Sequence, residues 1–329
     1  MADCHDLFQK FHEKVAVSSA RKQQLQTSRN ATRERIEKHF TDVLKVKKPT
    51  FKGQGSYTMD TLVNPIDGRY DIDDGVYLHH LEKDRSKWPT SATVHGWVVD
   101  ATKDSTDKPP QDRARCVRVI YKAKPPYHID LPVYVMENDV PQLFDKDREN
   151  AKESPVSPYE SDPAAMTKWF RDKVDEGDQL RHLVRYTKGW KDFKHNQGTS
   201  CANGLMLSIL LAETFITDDR DDIAMAKSID AANTRMQQST VVKKPVTPFE
   251  DLTAGWSKKQ REEFLACLQQ FRDLSADAIV EKNKAKAAKV WQKLFGDRFP
   301  DAEPEPEKEK DSAQKTSAPA IIGTDGRSA

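Results

Sequence analysis

A two-lobed α+β protein, with a mixed β-sheet core followed by a mostly helical half, is the fold class this sequence predicts. Three observations carry that expectation. Runs with the alternating pattern of strands, at residues 70–78, 116–121 and 127–135, stop after about Asp145. Beyond them the apolar residues fall at helical spacing: Trp169, Phe170 and Val174, then Leu180, Leu183, Val184 and Trp190, then Leu205 through Phe215. The length, 329 residues, exceeds an ordinary single domain and suffices for two lobes with a cleft between them.

Taken in order, residues 6–17 predict a short amphipathic helix, with Leu7, Phe8, Phe11 and Val15 on one face. Ser18 or Ser19 caps a second, longer helix reaching about Phe40, where Leu25, Ile36 and Phe40 make an apolar stripe among many charges. Gly53 and Gly55 then break the pattern, and Asn64-Pro65-Ile66-Asp67-Gly68 has the composition of a turn. Residues 92–103, with Val94, Trp97, Val98, Val99 and Ala101, suit a helix packed on a sheet. Pro109-Pro110 ends it, and residues 116–121 start a strand. Pro125-Pro126 turns the chain back, so the strand carrying Asp130 pairs antiparallel beside it and comes to lie next to the Asp71/Asp73 strand. The apolar run 205–211 is too short to span a membrane, and beyond Phe299 an acidic, nearly apolar-free tail reads as disordered.

Charged residues make up 32% of the chain and the net charge is +1, which argues against a global affinity for nucleic acid. Locally the charge is uneven: Arg29, Arg33, Arg35, Lys38, Lys45, Lys47, Lys48 and Lys52 crowd the approach to Gly53 and could steer anions there, or simply solvate a helix face. Cys4, Cys116, Cys201 and Cys267 are widely separated, with neither disulfide nor zinc-ligand spacing. Together with the lack of an apolar leader at the first residues, this predicts a cytoplasmic protein with no membrane association.

The chemistry concentrates at two stretches. In Asp71-Ile72-Asp73 the period-two geometry of a strand sends both carboxylates to one side and Ile72 into the core. Asp130, isolated between apolar neighbours on a later strand, supplies a third carboxylate. An all-oxygen, carboxylate-rich set suits two Mg²⁺ ions, or Mn²⁺, and in-line displacement at phosphorus. Gly55-Ser56 offers the complementary half, where a glycine admits a phosphate close to the backbone and the following amides and the Ser56 hydroxyl donate to it. Asp74 faces the other way on a continuing strand and reads as a turn or cap residue before Gly75. His79 and His80 point to opposite faces and make no metal pair. His128 shares the Asp130 side and is a weaker candidate for nucleotide contact, while Arg181, Arg185 and Lys191 are candidates for the cleft wall.

Gly55-Ser56-Tyr57, the 70–78 run with Asp71-Ile72-Asp73-Asp74-Gly75, the 128–134 run His128-Ile129-Asp130-Leu131-Pro132-Val133-Tyr134, and Arg185-Tyr186-Thr187-Lys188-Gly189-Trp190 together resemble the bacterial cGAS/DncV-like nucleotidyltransferases (CD-NTases) of CBASS anti-phage defence, within the DNA polymerase β superfamily. The resemblance covers roughly residues 6–295 and no single motif carries it. It implies a two-lobed nucleotidyltransferase fold with a long N-terminal spine helix: N-terminal helices and catalytic core over 1–150, a helical nucleotide-clamping lobe over 151–299 and an acidic tail over 300–329. Asp71, Asp73 and Asp130 are then the catalytic metal ligands, and Gly55, Ser56, Lys188 and Ser200 bind nucleotide. Two departures stand out, since Gly189 replaces a helix-favouring small residue and Thr199, itself a candidate donor, precedes Ser200 where proline is common. The implied activity joins ATP and GTP, or other nucleoside triphosphates, into a cGAMP-like cyclic di- or trinucleotide sensed by a downstream effector. By analogy with some defence relatives, the small C-terminal residue Ala329, with Ile321-Ile322 as a handle, is a candidate for joining to a target by a ubiquitin-conjugation-like E1/E2 partner. Two alternatives stay open: a template-free, RNA or protein adenylyltransferase with the same core, or a catalytically inactive nucleotide-binding scaffold.

Overall fold

The computed structural model describes residues 1–150, 157–174, 176–199 and 202–303. Helices α1 (His5–Val15) and α2 (Ser19–Lys38) open the chain, and a wider helical turn, His39–Val43, extends α2. The Ser18 hydroxyl accepts from the amide of Arg21, capping α2 as its sequence predicts. Strand β1 (Thr50–Gln54), the short α3 (Gly55–Thr58), β2 (Tyr70–Leu78) and α4 (Ser91–Thr102) follow. Next come β3 (Gln111–Asp112), β4 (Val117–Tyr121), β5 (Tyr127–Leu131), β6 (Val133–Glu137), β7 (Val140–Leu143), α5 (Lys146–Glu149) and β8 (Tyr159–Glu160). The remainder is helical: α6 (Pro163–Lys173), α7 (Gln179–Asn196), α8 (Gly204–Thr214), α9 (Asp221–Gln238), α10 (Lys258–Val280) and α11 (Lys284–Phe295).

The strands form one mixed sheet in the order β3-β4-β5-β2-β6-β7-β8, with β1 paired antiparallel to β2. Two features of the register place the chemistry. Parallel pairing of β2 with β5 sets Asp73 opposite Asp130 and Asp71 opposite His128. Antiparallel pairing of β4 with β5, across the turn at Pro125-Pro126, sets Arg118 opposite Asp130. Strand β8 lies beyond the point where the alternating pattern ends in the sequence; two residues are too few to show one.

Apolar burial holds the two halves separately. Val76, Leu78, Val94, Val98, Val117, Val119, Ile129, Leu131 and Val133 join the sheet to α4, and Ile36 and Phe40 bring the end of α2 against them. The larger core belongs to the helical half, where Trp190, Phe271, Trp291, Phe295 and Phe299 gather around Phe8 and Phe11 of α1. Although α1 precedes the sheet in sequence, it packs with the helices. Gly189 is explained here: a Cβ at that position would stand 3.2 Å from Phe11 and 3.3 Å from Val15, so the small residue lets α1 cross close to α7. Just past the last helix, Asp301 accepts hydrogen bonds from Lys289 and Gln292. Residues Ser200, Ile321, Ile322 and Ala329 lie outside the described residues.

No described helix is long and apolar enough to cross a membrane. Among the described residues Cys4 and Cys116 are free thiols.

Candidate active site

A cleft of about 1130 Å³ opens where the sheet faces α7 and α8, lined on one side by Gly55, Ser56, Asp71 and Asp73 and on the other by Lys188, Lys191 and Gly204. It exceeds the ~300–1,000 Å³ of an ordinary small-molecule site, leaving room for more than one nucleotide-sized ligand. A smaller cavity of about 280 Å³ continues behind Asp73 and holds Asp130 in its wall.

The acidic pair behaves as its alternation requires. Asp71 is exposed to the cleft, Ile72 is buried with Leu25, Leu62 and Tyr127, and Asp73 shares the Asp71 face. Burial pushes the Asp73 carboxyl up to about 8, reinforced by the negative charges of Asp71 and then Asp130. Three acidic side chains therefore converge with too little positive charge to balance them. Arg118 supplies part of the balance, its Nε donating to Asp130 Oδ1 and its Nη2 to Asp130 Oδ2, each at 2.7 Å. The donor set, oxygen-only and over-negative, fits a hard divalent cation. Among the described residues no three acidic, histidine or cysteine groups are already gathered at ligating distance, and both Asp130 oxygens are engaged by Arg118.

Gly55 begins α3 at φ +69°, and a Cβ there would sit 2.2 Å from Asp73 Oδ2. Only glycine meets both demands. We expect Gly55→Ala to lower turnover at least about a hundredfold, a barrier increase of about 3 kcal/mol, because the carboxylate must move to make room. Steady-state rates on a variant with unchanged circular dichroism check this; retention of near-normal turnover contradicts it.

Ser56 lies in α3 and lines the cleft, and its carbonyl accepts from the amide of Thr61 as the chain turns back. Lys188 reaches this turn from α7: its Nζ donates to the Thr61 carbonyl and hydroxyl, both at 2.9 Å. Burial drives the Lys188 ammonium down to about 7 against the opposing pull of Asp71. A polyphosphate beside it stabilises the charged form and raises that value again. At about pH 8 the free protein therefore holds Lys188 mostly neutral and the complex holds it charged, so nucleotide binding takes up protons. Calorimetry in buffers of different ionisation enthalpy should show this uptake in the native protein, while Lys188→Met should lose it and raise KM. Equal uptake in the variant contradicts the placement of Lys188 on the phosphates.

Other expectations fare differently. Lys191 and His128 line the cleft, and His128 Nε2 is 3.9 Å from Asp130 Oδ2. Arg185 instead bonds to His12 and to the Asp60 carbonyl, and Arg181 to the Met59 carbonyl and Asp178, so both brace the 59–61 turn from behind. Asp74 is not a turn or cap residue: β2 continues to Leu78, and Asp74, fully buried on its back face, is held by Arg33 of α2 through Nε at 2.7 Å and Nη2 at 2.5 Å. Thr199 donates its amide to the Lys194 carbonyl at the end of α7. Sequence reasoning missed Arg118 and also the 244–255 segment, whose Lys244 and Glu250 pair with each other and, through Glu250, with Arg115 across the cleft.

A Gly-Ser turn beside strand carboxylates, with a lysine reaching in from the helical half, is a donor arrangement suited to nucleotidyl transfer. Residues 49–134 match the family model described as cyclic GMP-AMP synthase DncV-like, nucleotidyltransferase domain. Over that stretch the chain is similar to the cGAS/DncV-like nucleotidyltransferases. The cyclic GMP-AMP synthase of Vibrio cholerae serotype O1 is 23% identical over 311 residues, covering 78% of this chain and 69% of that one. Among solved structures, Vibrio cholerae DncV cyclic AMP-GMP synthase with nonhydrolyzable GTP superposes with a TM-score of 0.73 at 17% identity, over 91% of this chain and 97% of that one. The same enzyme with the linear intermediate 5′ pppA(3′,5′)pG gives 0.71 at 17% identity, over 91% and 97%. Escherichia coli DncV bound to 3′-deoxy GTP gives 0.69 at 17% identity, over 87% and 93%.

Proposed function

We propose that this nucleotidyltransferase joins purine nucleoside triphosphates, ATP and GTP among them, into a cyclic di- or trinucleotide second messenger. The observation that supports it most is the register that sets Asp73 beside Asp130 and across from Gly55-Ser56 at the floor of a cleft larger than one nucleotide needs. The relatives' names, cyclic GMP-AMP synthase and a DncV bound to a linear dinucleotide intermediate, favour a ring-closing second step.

In each step an acceptor ribose hydroxyl attacks the α-phosphorus of a donor triphosphate, a new O–P bond forms, the α–β bridge breaks and pyrophosphate leaves. Ser56 and the amides after Gly55 hold donor phosphate oxygens, and Lys188 balances their charge. Asp130, nearest the acceptor side, takes the hydroxyl proton. Mg²⁺ held by Asp71, Asp73 and Asp130 would supply charge neutralisation and hydroxyl activation when bound. The cytoplasm, where nucleoside triphosphates are abundant, is the proposed location, and anti-phage signalling to an effector of the CBASS type is the proposed setting. A C-terminal conjugating partner belongs to the same reading.

Incubation with α-labelled ATP, GTP, CTP and UTP plus Mg²⁺, followed by phosphatase, tests this. A small labelled product that survives phosphatase supports the reading. Label on RNA or protein points to the adenylyltransferase alternative, and no transfer at all points to the inactive scaffold; either result overturns it.

A further inference from the structure

Arg118, Asp130 and Asp73 stand side by side on three adjacent strands, β4, β5 and β2, because Arg118 is the register partner of Asp130 in one pair and Asp73 its partner in the other. We infer that Arg118 is a positioning residue that serves Asp130 as an internal counter-ion and is displaced when a divalent cation takes that carboxylate, an inference that rests on the nucleotidyl-transfer reading above.

The fork engages both oxygens of Asp130 at 2.7 Å, so the carboxylate is held in one plane and turned along the sheet toward β4. Guanidinium cannot give up its proton at any ordinary pH, so the pair is broken only by movement or by a competing cation. Arg118 is free to move: it lines the open cleft and about a fifth of its side chain is exposed. No other arginine or lysine among the described residues makes an ion pair with Asp71, Asp73 or Asp130. His128, at 3.9 Å, is the next nearest base to Asp130. Arg118 thus gives the carboxylate cluster the kind of compensation a divalent cation would give it, with one charge in place of two. A fixed positive charge beside the site also repels an arriving dication. The device holds Asp130 in place without a cation and makes cation loading a competition.

Titration of the full-length protein with Mn²⁺ alone, followed by the loss of the free-ion electron paramagnetic resonance signal at about pH 7.5, tests the inference. Arg118→Gln is expected to bind Mn²⁺ at least about fivefold more tightly than the native protein, since the competing charge is gone. Arg118→Lys, a cation that cannot fork, is expected to fall between the two. Without Mn²⁺ the Gln variant melts below the native protein, and saturating Mn²⁺ closes the gap. Unchanged or weaker Mn²⁺ affinity in the Gln variant, with a native circular dichroism spectrum, overturns the inference, as does unchanged affinity in the Lys variant should the Gln variant fail to fold. Failure of the underlying reading looks different: the native protein then binds no Mn²⁺ and Asp73→Asn alters nothing. Mn²⁺ binding that Asp73→Asn abolishes but Arg118→Gln leaves unchanged sinks the counter-ion role alone.

Discussion

Asp73→Asn is expected to lower nucleotidyl transfer at least about a thousandfold, a barrier increase of about 4 kcal/mol, while leaving the protein more heat-stable than the native form when no divalent cation is present. The two effects share one cause. Asp73 sits between Asp71 and Asp130 in a buried corner where its ionised form is disfavoured, so the native fold bears a like-charge cost that an amide of the same shape relieves. In the proposed reaction the same charges would draw a cation. Rates with ATP and GTP, and melting curves at neutral pH with EDTA, measure both sides of this exchange. A variant that keeps a tenth of native activity, or melts below the native protein in EDTA, contradicts the assignment.

The second large effect concerns stability. Asp74→Ala is expected to cost about 3–5 kcal/mol of folding free energy, because it strands the Arg33 guanidinium against a fully buried position. Replacing both partners at once should cost much less than twice the single change, since the unpaired charge is then absent. Denaturant unfolding of the two single variants and the double variant closes the cycle. A loss below about 1 kcal/mol for Asp74→Ala contradicts the pairing.

How much was legible in the sequence depends on whether the information is local. Asp71 and Asp73 on one face, Ile72 inward, the Ser18 cap and the helix over residues 92–103 all follow from period and capping chemistry within a few residues. Their counterparts in the structure are the exposed Asp71, the buried Ile72 and α4 at Ser91–Thr102. Asp74 was misread because a charged residue before a glycine has the composition of a turn. Only the arrival of Arg33 from α2, forty-one positions away, makes it a buried strand residue. Gly189 is likewise a departure whose reason, the close crossing of α1 over α7, lies far from it in sequence.

Arg118 is the instructive omission. The turn at Pro125-Pro126 pairs Tyr121 with Tyr127, and counting back along both strands from that pair brings Arg118 opposite Asp130. The signal was present once the turn had been placed, but an alternating strand offers no reason to single out its one arginine until the partner strand's carboxylate has a role. The link from Arg115 to Glu250 could not be found that way, since it joins segments far apart in sequence.

The most direct test of nucleotidyl transfer with ring closure is the ratio of pyrophosphate released to nucleotide incorporated when the purified protein turns over a mixture of ATP and GTP. Ring closure consumes every triphosphate, so the expected result is one pyrophosphate for each nucleotide in a product without a terminal phosphate. A linear dinucleotide would give one pyrophosphate for every two nucleotides and leave a triphosphate end, and that result, or transfer undiminished in Asp73→Asn, would contradict it.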